Sequence, residues 1–373
     1  MELMQAHHQW MTRPDDERFT SLVEMKEMMS RMRANSRAWT LSSKQLNASP
    51  VVLDGRPDYR GLVLEGPRGE PFTPTNWSFG QLVQLAEAPA SYLRTLPSPI
   101  VADCINYGLQ FKRAAEDVGL LLYKNGGPVE MRAATGPAYG RIWNDDIVGA
   151  LIQRFGDGVS GDTFRVPGEY GREIVVNKQN TTLFASDRDM FVFLADEKHK
   201  ITLPNRRGGK SGLLSRGFFV WNSEVGSKSF GLATFLFDYA CANRIVWGAA
   251  EYKELRMRHT SGAPLRFLEE VAPALESYAQ SSTLSITNAL AEAQKKKIGD
   301  EDKLNEFLTK RFGFGGTTAE SIKAVHKLEE GRPIETLWDA ATAVTAYARS
   351  IPHTDKRVDV ERTAGKILDL ATA

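Results

Sequence analysis

The chain has 373 residues, 42% hydrophobic and 25% charged, an ordinary globular composition that can bury a sizeable core in one large domain or two smaller ones. A formal net charge of +1 excludes bulk attraction to nucleic acid or an anionic membrane, so any such binding must come from locally clustered cations. No apolar run approaches the ~20 residues that span a bilayer, and Met1 to Arg18 lack a signal-peptide core. The two cysteines, Cys104 and Cys241, lie in apolar stretches that fit buried free thiols, so a cytoplasmic protein without membrane contact is expected.

In chain order, residues 13 to 33 read as a helix. Pro14 suits its first turn, Asp15, Asp16 and Glu17 suit its positive end, and Phe19, Leu22, Val23, Met25, Met29 and Met32 form an apolar side. Short strands and turns follow over residues 36 to 66, with Asp54-Gly55 as a hairpin turn. Ser78 is placed to cap a helix carrying Phe79, Leu82, Val83 and Leu85. A second helix from Pro99 to Val118 sets Val101, Cys104 and Ile105 on one side, which explains Cys104 by packing. Leu120 to Tyr123 and Val129 to Ala134 read as strands around an Asn125-Gly126-Gly127 turn. Asn144 can cap a helix over Asp145 to Phe155, where Asp145 and Asp146 suit the dipole, metal ligation being the alternative. Ile174 to Val176 and Thr181 to Ala185 are short strands.

Buried strands are expected at Met190 to Ala195 and Phe218 to Trp221, a short return strand at Ile201 to Leu203, and a strand from Phe230 to Phe237. Asp238 to Asn243 then runs into a helix towards Trp247. Beyond residue 255 the pattern is helical: Leu268 to Tyr278, broken or kinked at Pro273; Leu284 to Lys296, closed by cations Lys295 to Lys297 that suit its dipole; and a helix around Leu304 to Leu308. Another opens on a Thr317-x-x-Glu320 capping box, and two more run over Leu337 to Arg349 and Arg357 to Leu370. Three parts are expected: residues 1–74 with the N-terminal helix and short strands, 75–255 as an α+β core, and 256–373 as a helical C-terminal region. The fold class is α+β, with a curved, mainly antiparallel sheet and packed helices before the all-helical C-terminal region.

Gly208-Gly209-Lys210-Ser211 is like the end of a P-loop, but the glycine needed five residues before its Gly-Lys pair is Pro204, which has no amide proton to give a phosphate. The six histidines show no zinc-site spacing. Asp187, Asp189 and Glu224 are the acidic set for a metal-dependent nuclease alternative. The strongest site candidate is the loop between the apolar runs. Lys198, Lys200, Arg206, Arg207, Lys210 and Arg216 fall within nineteen residues that contain no Asp or Glu. Such cations can follow a phosphate backbone. Arg188 and Arg141 are additional candidates. The neighbouring aromatics are expected to be core, because alternate residues of a strand cannot all be exposed, and Asn222 and Glu224 are assigned to turn geometry.

The run Phe184-Ala-Ser-Asp-Arg-Asp-Met-Phe-Val-Phe-Leu194, with Trp221-Asn-Ser-Glu-Val-Gly226, Phe235 to Asn243 and the upstream Tyr139-Gly140-Arg141-Ile142, resembles the phage/plasmid-like family defined by domain of unknown function 932. The resemblance covers roughly residues 75 to 260; Arg244 stands where a glycine often follows the family's Cys-x-Asn. It implies a role around mobile DNA: replication, recombination or protection. By analogy with strand-annealing proteins it points to single-stranded DNA binding by a homo-oligomer. The expected function is therefore non-enzymatic binding of single-stranded DNA, with no cofactor or catalytic metal. The alternatives are the nuclease and an assembly protein whose C-terminal helices bind a protein partner.

Overall fold

The structure, a computed structural model, describes residues 13–51, 58–67, 69–112, 114–160, 163–167, 174–204, 211–239, 243–245, 255–351 and 354–372. A 3-10 turn over Asp15–Glu17 and strand β1 (Arg18–Phe19) precede helix α1 (Leu22–Ala34). The helix starts later than Pro14 predicts because Ser21 takes the N-cap. Its hydroxyl accepts from Glu24 N, while the Glu24 carboxylate accepts from Thr20 N at 2.6 Å.

Strands β2 (Ser36–Ser42), β3 (Asn47–Pro50), β4 (Leu62–Glu65), β5 (Pro71–Pro74), β6 (Asp117–Tyr123) and β7 (Val129–Thr135) form a sheet in the order β2-β6-β7-β5-β4-β3. It is antiparallel except where β5 lies beside β7. Helices α2 (Asn76–Leu85), α3 (Ala90–Leu93) and α4 (Ser98–Tyr107) connect β5 to β6, with a π-helical turn over Gly108–Lys112. Phe79, Leu82, Val83, Val101 and Ile105 pack from these helices onto Leu62, Leu64, Phe72, Leu120 and Met131 of the sheet.

Several local expectations change here. Thr75, not Ser78, caps α2; the Ser78 hydroxyl donates instead to Met131 O of β7. The helix expected to reach Val118 stops short because β6 pairs residue for residue with β2, from Asp117↔Ser42 to Tyr123↔Ser36. Strands on both sides of residue 74 share this sheet, so the boundary expected there falls inside one hydrogen-bonded layer. Cys104 on α4 is half-buried; Cys241 and the Asp54-Gly55 turn lie outside the described residues.

After α5 (Asn144–Phe155), strands β8 (Phe164–Arg165), β9 (Leu183–Ala185), β10 (Met190–Asp196), β11 (Ile201–Leu203), β12 (Gly212–Asn222), β13 (Phe230–Asp238), β14 (Asn243–Ile245) and β15 (Leu255–Met257) join β1 in a larger antiparallel sheet. Its main order is β1-β9-β10-β12-β13-β14, with β8 beside β10, β11 beside β12 and β15 beside β13. Residues 174–176 form no strand. Asn243–Ile245 is a strand where a helix was expected, because it pairs with β13 through Leu236↔Ile245.

Every residue of β10 and β13 is buried, so both faces of this sheet are covered, unlike a sheet with one wet side. On one face, Met190, Val192, Leu194, Phe218, Val220 and Leu232 meet Leu22, Met25 and Met29 of α1 and Ile147, Val148 and Leu151 of α5. Phe267 and Tyr278 join them from α6 (Ala263–Arg266), the π-helical turn Phe267–Val271 and α7 (Ala272–Gln280). Pro273 directly follows the π-helical turn within helical backbone that runs from Ala263 to Gln280, so the break or kink expected there takes the form of a local change in helix type.

The remaining chain is α8 (Leu284–Lys295), α9 (Glu301–Glu306), a π-helical turn over Phe307–Arg311, α10 (Gly316–Glu330), α11 (Leu337–Ala348) and α12 (Thr354–Thr372). Gly315 is the N-cap of α10, with no side-chain cap from the expected Thr317 box; the box forms instead at α11, between Thr336 and Asp339. Helix α11 is buried on nearly every side, and its core is shared with Leu214, Leu236 and Ile245 of the larger sheet. Because β15 begins at Leu255, the boundary expected at 255 cuts a strand. The fold is α+β: antiparallel sheets followed by C-terminal helices. Among the described residues no helix is long and apolar enough to cross a membrane.

Candidate nucleic-acid interface

Arg206, Arg207 and Lys210 of the predicted basic loop lie outside the described residues. Lys198 is exposed just past β10. Lys200 lies 3.1 Å from Glu197 and 5.3 Å over the Tyr239 ring. Arg216 corrects the expectation. Its place on β12, in alternation with Leu214 and Phe218, turns it to the helix-covered face, where it is 2% exposed. Nε donates to Asp196 at 3.1 Å, and the guanidinium also donates to Tyr278 O, Ala279 O, Ser281 O and Ser281 Oγ. It therefore closes the carboxyl end of α7, a favourable place for a cation, and is not a phosphate ligand. The basic run begins at Lys198, and Asp196 and Glu197 stand immediately before it. They hold Arg216, His199 and Lys200.

The turn between β12 and β13 joins the two sheets. The Glu224 carboxylate lies 3.1 Å from Arg132 of β7 and accepts from Asn144 N at 2.9 Å. Asn222 Nδ2 donates to Ile142 O and to Asn144 Oδ1, both at 2.8 Å. Asn144 thus bonds across to the turn instead of capping α5. Val225 O accepts from Trp77 Nε1 and Gln81 Nε2 of α2, and Tyr139 donates to Ser223 O. Arg141, half-buried, donates Nε to Glu224 O at 2.7 Å. Burial lowers its pKa, against the pull of Tyr139 and Glu224. It is committed to this turn rather than to a surface, a second correction.

Two of the three acidic residues are likewise held by the fold, while Asp187 is exposed. Asp189 is buried and lies 2.6 Å from Arg13, and Glu224 is held by Arg132. Asp145 and Asp146, the other carboxylates considered as ligands, pair with Lys26 and Arg33 of α1. Among the described residues no group of three His, Cys, Asp or Glu side chains can hold a metal ion.

The aromatics beside the basic run are core, as expected; what sequence reasoning missed is that most of them gather in one layer on the other face of the larger sheet. Phe184, Phe191, Phe193, Phe219, Trp221, Phe235, Phe237 and Tyr239 form one cluster, 2–8% exposed. Phe219 stacks on Phe193 across the β10–β12 pair, with centroids 5.3 Å apart, and on Trp221 along β12 at 5.0 Å. Two glycines let the rings lie flat. A Cβ on Gly231 would come within 1.9 Å of the Trp221 ring, and one on Gly217 within 2.4 Å of Phe235. Cations sit over these rings. Arg13 and Lys228 lie 5.8 and 5.4 Å from the Phe191 centroid, Arg256 lies 5.9 Å from Trp221, and Lys200 lies over Tyr239. Arg188, exposed, lies 5.9 Å from Trp77 on α2. The alternation of Phe and Trp with Val and Leu is visible in the sequence, but Arg13 and Arg256 come from distant segments.

The fold and this layer define an α+β protein with a cation-rimmed aromatic sheet face. Comparison with family models, curated proteins and solved structures finds no match, so the resemblance to the phage/plasmid-like family rests on the motif residues themselves.

Proposed function

We propose that the chain binds nucleic acid, single-stranded DNA in particular, along the cationic rim of the aromatic sheet face. The observation that supports this most directly is the placing of Lys228 and Arg256 over Phe191 and Trp221, with Arg188 and Lys198 exposed. An ammonium held over a ring face, as Lys228 is over Phe191, keeps N–H groups for a phosphate oxygen, and the buried ring fixes where that charge sits. Trp221, 8% exposed, lies beneath this rim and positions Arg256 above it. The part in mobile-DNA metabolism and the assembly into an oligomer rest on the family resemblance.

The test is the affinity of a labelled single-stranded oligonucleotide measured across salt for the wild type and the Lys228→Gln/Arg256→Gln variant. Each lost phosphate contact flattens the log–log salt slope by about 0.7, so the double variant is expected to lose about 1.4 of slope. Absence of binding by the wild type at low salt overturns the reading.

A further inference from the structure

After α8 the chain runs through a short extended stretch fixed from both sides. Lys297 bridges to Thr336, Ile298 N donates to Glu335 O at 2.9 Å, and Leu337 N donates to Lys296 O at 3.1 Å. Gly299, at φ +121°, turns the chain into α9; a Cβ there would meet the Lys303 side chain at 2.6 Å. The π-helical turn Phe307–Arg311 follows α9. Such turns are rare and concentrate at functional sites.

A concavity of about 620 Å³ opens between these segments. Its walls carry Lys296, Lys297, Lys303, Lys310 and Arg311 against one carboxylate, Glu306. Ile298, Phe307, Leu337 and Leu370 supply its apolar lining. Two cations are engaged: Lys296 donates to Leu370 O at 2.6 Å, near the carboxyl end of α12, and Lys310 pairs with Glu306 at 2.6 Å. Lys297, Lys303 and Arg311 are exposed and have no ion pair among the described residues. Like charges gathered in a concave site focus a positive potential and repel one another until an anion enters.

We propose that this concavity binds a nucleotide, with its phosphates on Lys297, Lys303 and Arg311 and its base against Phe307 and Leu337. Ammonium and guanidinium groups make charge-assisted bonds to phosphate oxygens, while the ring of Phe307 offers a flat apolar partner. The volume lies within the range of small-molecule sites. The nucleotide is either free or one unit of a strand. The site is separate from the sheet-face rim and does not rest on that reading.

The full chain is titrated with a fluorescent nucleoside triphosphate, inorganic triphosphate and a single-stranded oligonucleotide, beside Lys303→Glu, Arg311→Glu and Phe307→Ala. Saturable nucleoside triphosphate binding is expected, weakened about tenfold or more by each charge reversal. Phe307→Ala is expected to weaken the nucleoside triphosphate and leave inorganic triphosphate unchanged. Displacement of the nucleotide by the oligonucleotide identifies a strand as its source; no displacement identifies free nucleotide. The Lys228→Gln/Arg256→Gln variant is expected to bind nucleoside triphosphate as the wild type does, which separates this outcome from the fate of the rim. Thermal melting checks folding, and Lys297→Glu replaces any reversal that unfolds. No saturable binding by the wild type, or folded charge reversals that bind as tightly as it does, overturns the proposal.

Discussion

Arg132 of β7 and Glu224 of the β12–β13 turn form a buried ion pair, 3.1 Å apart with side chains 2% and 3% exposed, that ties the two sheets together. Arg132 also donates to Asp187 O, and Glu224 accepts from Asn144 N, so each charge keeps hydrogen bonds beyond the pair. Removing one partner leaves the other charged and buried, which typically costs about 3–5 kcal/mol. Glu224→Ala is therefore expected to lose about that much unfolding free energy in a denaturant titration, and Arg132→Met/Glu224→Met less than the sum of the singles. Additive losses would show that the pair carries no coupling.

Arg216 and Lys198 come from one basic run but are expected to behave oppositely. Arg216→Gln breaks a buried contact to Asp196 and four further hydrogen bonds. It should destabilise the fold by about 3 kcal/mol or more. Lys198→Gln is exposed and should stay within about 0.5 kcal/mol of the wild type. Paired melting curves decide. An Arg216→Gln protein as stable as the wild type would contradict the buried role.

This pair also marks how far the sequence could be read. The strands around Phe193, Phe219 and Phe235 were legible because β-prone apolar runs of that length suit buried strands. The burial of Arg216 was not legible, because it depends on the register of β12 and on Asp196, which lies outside the basic run. Lys297 reads only as one of the cations closing a helix, and nothing in the sequence singles out Arg311. They line one concavity only because the Lys297–Thr336 bridge and the π-helical turn bring them together. Asn144 read as a local cap because its partner, Asn222, is far away in the chain.

Gly217 and Gly231 are required by close approach. A methyl group at Gly231 would enter the Trp221 ring, and at Gly217 it would meet both Phe235 and Leu194 O at 2.7 Å. Overpacking of this kind typically costs about 1–3 kcal/mol, and the backbone contact puts Gly217→Ala at the upper end. Gly126→Ala serves as a comparison, since its φ of +75° is strained but no atom lies within 4 Å. Near-ultraviolet circular dichroism of the aromatic layer should change for Gly217 and Gly231 and not for Gly126.

His259 stacks on Tyr139 at 4.8 Å, its Nδ1 lying 3.1 Å from Gly140 O. Burial lowers its pKa, opposed by the bond to Gly140 and reinforced by Arg141. The folded form therefore holds its proton less tightly than the unfolded chain, whose histidines titrate near about 6.5. The stability that this site contributes is complete above that pH and is lost as pH falls through the folded value. The wild-type melting temperature should drop between pH 7 and 5, and His259→Phe should flatten that drop. An unchanged pH profile in the variant would remove His259 as its cause.

Asp339, 1% exposed, extends the argument to stronger acid. Burial pushes its carboxyl up, but Arg332, donating at 2.8 and 2.5 Å, and the Glu335 and Thr336 backbone amides, at 3.1 Å each, hold it below the usual carboxylate value. The folded pKa is thus depressed. Its stabilisation is present above the unfolded value of about 3.9 and disappears as pH falls through the folded value. At pH 7, Asp339→Asn is expected to cost about 2 kcal/mol by weakening the charge-assisted bonds that hold Arg332 and the start of α11. Below about pH 4 the wild type and variant should converge, because protonation makes the wild-type carboxyl as neutral as the amide. Denaturant titrations from pH 7 to pH 3 measure this gap. A gap of constant size would place the effect of Asp339 in shape rather than charge.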